Sequence, residues 1–274
     1  MTTTADFDLD AYLTRIGFTG ERTPTRATLD AIAAAHTATI PFENLDPVLG
    51  VPNRLDLASL QAKLVDGGRG GYCFEHGLLL RTALLTLGYR VTALAGRVLW
   101  GTDDPHAITG RTHMLLLVDL GDERRIIDTG FGGMTLTGTL RLELDTVQST
   151  PLEPFRLIEL DGDWALQAQI GEDRWRTTYR FDLQPQHPID YEPANWYLST
   201  WPQSRFVTML MAARATTDRR YALAGRQLTV HHADGTAERR VLTGFDEFRT
   251  VLERDLLIDT SGLTGLRAAF DRLD

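Results

Sequence analysis

The spacing of apolar residues changes period at Gly88, and this change limits the architectures open to the chain. Upstream, the pattern is helical. Residues 25–38 are rich in Ala, Leu and Ile, with Pro24 just ahead of the capping position Thr25, and Pro41 stops regular structure. Asp10 is expected to cap a short helix through Ile16, ended by Gly17, and Asp56 to cap Leu57 to Val65, broken by Gly67-Gly68. A longer helix is expected from about Cys73 to Leu87, ended by Gly88. Downstream, Tyr89 to Trp100, His113 to Leu120, Arg124 to Asp128, Phe155 to Leu160, Trp164 to Ile170 and Trp175 to Phe181 read as strands. Gly121-Asp122 and Asp161-Gly162 are hairpin signals between neighbouring pairs. The last third is expected to hold strands at Phe206 to Ala212, Gln227 to His232 and Arg239 to Leu242, then a helix from Phe245 to Leu256. Residues 194–205 are ambiguous, and no internal repeat is visible. The class is α+β: a helical unit over 1–88, an antiparallel barrel or sandwich over 89–193, an interdomain segment over 194–213 and a small α/β unit over 214–274.

Charge and cysteine content exclude some function classes. The net charge of −9 argues against a general nucleic-acid binder and against an anionic membrane surface. No apolar run approaches the ~20 residues of a membrane span, and Met1 to Asp6 lack the basic and apolar regions of a leader. A single cysteine forms no disulfide within the chain and suits a reducing compartment. The expected location is the cytoplasm. A homo-oligomer stays open.

That cysteine sits in the most informative stretch, Arg69-Gly70-Gly71-Tyr72-Cys73-Phe74-Glu75-His76. Glycines before it and a helical run after it place Cys73 at a helix N-terminus, where free N–H groups and the helix dipole favour an anion such as a thiolate. A helix terminus supplies at most ~2 kcal/mol, so a histidine held by a third group is needed to keep the thiol ionised. The alternative is a small buried hydrophobe with no chemistry.

Seven histidines compete for the partner role. His76 follows Cys73 by one helical turn, but no further ligands with zinc spacing accompany the pair, and no metal is expected. His231 and His232 are adjacent on a strand and point to opposite faces. His113 opens the apolar run Met114 to Val118, and Asp128 closes the run Arg125 to Ile127. If those runs form a hairpin, the two are cross-strand neighbours, and the aspartate binds one imidazole nitrogen while the other faces the thiol. An ordinary pair at a sheet rim is the competing reading. Arg69 and Glu75 are expected to pair and hold their loop, and Pro41-Phe42-Glu43-Asn44 to shape the site.

The cysteine stretch, Ile40-Pro41-Phe42-Glu43-Asn44-Leu45-Asp46, Thr112-His113, Asp128-Thr129-Gly130-Phe131-Gly132, Trp196-Tyr197 and Ser204-Arg205-Phe206-Val207 together resemble bacterial arylamine N-acetyltransferases over nearly the whole chain. The order Cys73, His113, Asp128 is similar too. One departure is Gly77, where many members carry asparagine. The resemblance implies a helical first domain, a β-barrel, an α/β lid and a cysteine-protease-like catalytic core. It implies acetyl-CoA as donor, an arylamine, arylhydrazine or hydrazide as acceptor, and a role in xenobiotic metabolism. Cys73 would be the nucleophile, His113 the base and Asp128 the orienting carboxylate. Phe42, Tyr72, Phe131 and Phe206 would bind the acceptor, and Trp100, Thr112, Gly130 and Gly132 the CoA. Arg214, Arg219, Arg220 and Arg226 are phosphate-contact candidates by composition alone. Two other enzymes fit the same motif: an amide synthase closing a macrolactam, and a cysteine hydrolase or amidase.

Overall fold

Helix starts follow the side chains able to accept first-turn N–H groups. The computed structural model describes residues 7–171 and 174–273; Met1 to Asp6, the stretch without a leader-like pattern, lie outside the described residues. Asp8, not Asp10, caps α1 (Leu9–Arg15), accepting the Ala11 N–H at 2.9 Å. Asp10 lies one turn in and pairs with Arg22. Thr25 caps α2 (Arg26–Thr39). Pro41 ends this helical run, and a short strand β1 (Phe42–Glu43) and helix α3 (Leu45–Val48) follow. Asp56 caps α4 (Leu57–Leu60), which runs on as a π-helical turn through Asp66. Helix α5 (Cys73–Thr86) completes the helical layer.

The barrel strands are β2 (Arg90–Val98), β3 (Arg111–Asp119), β4 (Arg124–Ile127), β5 (Leu140–Arg141), β6 (Phe155–Leu160), β7 (Asp163–Gln169) and β8 (Trp175–Phe181). They form one antiparallel sheet in the order β5-β4-β3-β2-β8-β7-β6. Leu144 and Gln148, beyond β5, bridge to Leu157 and Phe155 of β6, so the sheet curls nearly onto itself. Strand β3 is buried on both faces: Met114, Leu116 and Val118 join the helical core, while Leu115 and Leu117 face the barrel interior. This explains its unbroken apolar run.

The ambiguous segment is helix α6 (Pro188–Thr200). Residues 206–212 are not one strand, because Ser204 caps a short helix α7 (Arg205–Thr208) before β9 (Met211–Ala215) begins. Strands β10 (Arg219–Ala224), β11 (Gln227–His232) and β12 (Ala237–Val241) complete a second sheet, ordered β1-β9-β10-β11-β12. Helix α8 (Phe245–Thr250), a π-helical turn through Asp255, and α9 (Leu266–Asp271) pack on it. The expected dividing lines at 193/194 and 213/214 fall inside α6 and β9. The lid sheet also borrows β1 from the first third, and Leu45 packs in the lid core. Among the described residues, no helix is long and apolar enough to cross a membrane.

The loop before Cys73 approaches the 41–44 segment closely. Gly71 N–H donates to the Pro41 carbonyl at 3.2 Å, and Glu43 N–H donates to the Gly71 carbonyl at 2.8 Å. A Cβ on Gly70 would lie 2.0 Å from the Pro41 carbonyl oxygen, a backbone atom that cannot swing aside. Gly70→Ala should therefore cost about 2 kcal/mol or more and lower the thermal midpoint by roughly 4–8 °C in calorimetry.

Candidate functional site

Cys73 is the first residue of α5, and the Tyr72 N–H before it is held by Glu75 Oε2 at 3.0 Å. The sulfur lies 3.6 Å from the Thr112 carbonyl, to which the thiol donates. The next residue of β3, His113, donates from Nε2 to Asp128 Oδ2 at 2.8 Å, and both side chains are buried. With Nε2 engaged, Nδ1 is the nitrogen left for Cys73, whose sulfur interacts with the ring.

The two strands place histidine and aspartate on one face by parity. The register pairs Leu116 with Ile127 and Leu117 with Ile126, so Asp128 continues opposite Leu115 and His113 lies one diagonal step beyond. The pair is diagonal rather than directly cross-strand. Asp128 Oδ1 also accepts the Gly130 N–H at 3.0 Å, which turns the chain back towards α5. A Cβ on Gly130 would sit 2.9 Å from the Cys73 Cα, so only glycine allows this approach.

The environment of His113 sets its protonation. Burial lowers its proton affinity, but the Asp128 carboxylate and the Cys73 sulfur raise it further, to a net pKa of about 10. Phe131 and Tyr179 enclose the ring, with centroids at 5.1 and 4.7 Å. Burial first, and then the Asp128 charge, push the Tyr179 phenol well above its usual range.

A cavity of about 360 Å³ opens over the sulfur. Phe42, Phe131 and Phe206 line it, as do Trp100, Thr112, His113, Gly130 and Met134. Lid residues Met211 to Ala213 and Ala222 to Ala224 close one side. Two named candidates do not reach it. Tyr72 is fully buried behind Phe206, with ring centroids 5.4 Å apart, and its hydroxyl donates to Asn195. Gly132 packs beneath the Phe42 ring, at a positive φ of 79°. Trp100 lies under the Arg176 guanidinium, 5.2 Å from its centroid.

The four arginines proposed from composition have other partners. Arg220 is buried against Glu153, Arg214 donates to the Asp255 and Ala38 carbonyls, Arg226 to Phe270, and Arg219 pairs with Asp218. Arg69 does not pair with Glu75 either. It binds Glu43 at 2.7 Å and Asp46 at 2.9 Å, while Lys63 binds Asp46 at 2.6 Å and Glu75 at 2.7 Å. Lys63, Tyr179 and Asn195 were not singled out in the sequence. Nothing in local pattern marks them, because their partners lie in distant segments.

His76 turns away from the sulfur. Its Nε2 donates to the Pro41 carbonyl at 3.1 Å, so its Nδ1 accepts from His36 Nε2 at 2.8 Å, and His36 Nδ1 accepts the Tyr12 hydroxyl at 2.8 Å. The terminal carbonyl fixes every proton in this chain and keeps both rings neutral. Burial lowers His76 to about 4 and His36 well below its usual value. His106 pairs with Asp161 at the surface, His232 with Glu238, and His187 is exposed. Among the described residues no group of three or more His, Cys, Asp or Glu is placed to hold a metal. At Gly77, a Cβ would meet the Met114 sulfur at 2.7 Å, so Met114 fills the space an asparagine would need.

A cysteine at a helix N-terminus and a histidine–aspartate pair at a barrel rim thus meet under an α/β lid. A family model described as N-acetyltransferase matches residues 25–262. The arylamine N-acetyltransferase of Mycolicibacterium smegmatis is 46% identical over 259 residues, 93% of this chain and 92% of its own length. The structure of the Mycobacterium tuberculosis arylamine N-acetyltransferase superposes with a TM-score of 0.92 at 42% identity, over 97% of this chain and 100% of that one. The Mycobacterium marinum arylamine N-acetyltransferase in complex with CoA superposes with a TM-score of 0.92 at 41% identity, over 97% and 99%. The chain belongs to the arylamine N-acetyltransferase family.

Two pH effects follow. Asp128→Asn removes the charge that offsets burial, so the His113 titration should fall from about 10 to below neutrality, read by NMR of the ring nitrogens. The His76 pKa is depressed in the fold, so the unfolded chain binds the extra proton between pH 6.5 and about 4. Stability from this site is complete above pH 6.5 and is lost as pH falls towards 4, by up to about 1.4 kcal/mol per pH unit, and calorimetry at pH 5 should detect proton uptake on unfolding.

Proposed function

We propose that this protein transfers an acetyl group from acetyl-CoA to the nitrogen of an arylamine, arylhydrazine or hydrazide, through an acetyl-cysteine on Cys73. The observation that carries the reading is the His113 ring, hydrogen-bonded to Asp128 at 2.8 Å and in contact with the Cys73 sulfur. His113 takes the thiol proton, and Asp128 stabilises the imidazolium so formed. The first N–H groups of α5 have no partner within the helix, and their partial charge favours the thiolate. The thiolate attacks the thioester carbonyl of acetyl-CoA, and His113 returns the proton to the departing CoA sulfur. In the second half-reaction the amine attacks the acetyl-cysteine, His113 accepts its proton, and the Cys73 thiolate leaves. The order is ping-pong.

Chemistry of the cavity supports this assignment of parts. Phe42, Phe131 and Phe206 make apolar walls suited to an aromatic acceptor and keep water from the acetyl-cysteine. Trp100, Thr112 and Gly130 offer an aromatic face and close backbone approach to the donor. The CoA complex of the Mycobacterium marinum relative favours acetyl-CoA over a carrier-bound chain or a peptide as the donor.

Mass spectrometry of protein mixed with acetyl-CoA and no acceptor should show one adduct of about 42 Da on Cys73, discharged by an arylamine. Cys73→Ala should take no adduct and lose all turnover. An unmodified wild-type Cys73, or turnover in the variant, would end this reading.

A further inference from the structure

The wall of the cavity that carries Phe206 is anchored by one side chain that does not touch the cavity itself. Asn44 is buried, at 1% exposure. Its Nδ2 donates to the Phe206 carbonyl at 2.7 Å and to the Met209 carbonyl at 2.8 Å, and its Oδ1 accepts the Met211 N–H at 2.7 Å. Both amide hydrogens and the carbonyl oxygen are therefore bound to one six-residue segment, far away in sequence. The Asn44 backbone N–H adds a bond to the Met211 carbonyl at 3.3 Å.

That segment is α7 and the turn into β9. The four-residue helix α7 buries no side chain fully, so its own packing holds it weakly. Phe206 rests on Phe42 and on Tyr72, at centroid distances of 6.3 and 5.4 Å, but ring contacts are broad in angle and do not fix where its backbone lies. Directional hydrogen bonds do. On its other side Asn44 follows Glu43, which is tied to Gly71 of the Cys73 loop. The side chain thus couples the nucleophile's loop to the aromatic wall facing it.

We infer that Asn44 is a positioning residue for the acceptor: it sets Phe206, and through Phe206 the fit of the aromatic amine, without acting in acetylation of Cys73. The inference rests on the function proposed above. A carboxylate at this position would face two carbonyl oxygens, and an alanine would leave those carbonyls and the Met211 N–H unmet.

The test uses Asn44→Ala and Asn44→Ser with acetyl-CoA and an arylamine. Extent of Cys73 acetylation counts the correctly folded molecules, so kinetics are scaled to them even if either variant folds in part. Expected results are a rise of about tenfold in acceptor KM, with the rate of Cys73 acetylation within about twofold of wild type. In a Phe206→Ala background the same Asn44 changes should add little, because the residue acts through a ring already removed. Additive effects in that background, or an equal loss in the donor half-reaction, would overturn the assignment. Amide exchange across residues 205–211 should quicken in both variants, and unchanged exchange would refute the anchoring itself. Since exchange needs no turnover, it decides the anchoring even if wild-type Cys73 never carries an acetyl group, a result that would strike the functional reading instead.

Discussion

A carboxylate and an imidazole buried side by side cannot both stand alone at low dielectric, and the site is built around that constraint. Asp128 is 3% exposed and His113 2%. Each makes the other tolerable, and together they hold a positive charge beside a sulfur. Burial works against that charge, yet the imidazolium persists to about pH 10 because the aspartate outweighs it. Neither partner comes from the element that carries the cysteine. The catalytic geometry proposed here therefore exists only when the helical layer and the barrel are docked, and Gly130 sets how closely they dock.

Two further polar systems support the cysteine helix by opposite physical means. On one side, Lys63 and Arg69 meet Glu43, Asp46 and Glu75, so charge is paired and each carboxylate has a cationic or backbone donor. On the other side, Tyr12, His36 and His76 form a neutral chain whose protons are all assigned by one carbonyl. His76 is close to Cys73 in sequence but belongs to this structural chain, while His113, distant in sequence, faces the sulfur. Sequence proximity was a poor guide to which histidine does which task, since a helical turn separates the two side chains by direction as well as by distance.

Much of the architecture was legible in the chain. Thr25 and Asp56 marked their helices correctly, and the glycines before Cys73 marked the start of α5. The barrel strands followed from period and from hairpin signals. Errors fell where local signals competed. Asp8 and Asp10 are both good caps, and only packing chose between them. Phe206 lies in an apolar run that reads as a strand, but Ser204 captures the Phe206 N–H and starts a helical turn. Pro188 opens α6 despite the helix-breaking look of Pro193 within it.

By itself, the sequence determined the order of the units, the place of the lone cysteine at a helix start, and a histidine and an aspartate at the ends of adjoining strands. These are local matters of capping, period and turn chemistry, decided within a few residues. Only the tertiary structure decided which side chains face one another across units. It turned Tyr72 and Gly132 away from the cavity, gave Arg214, Arg219, Arg220 and Arg226 partners within the protein, and moved β1 into the lid sheet. Such contacts join residues a hundred or more positions apart, as Asn44 joins Phe206, and their energy comes from directional bonds that form after the chain has closed on itself.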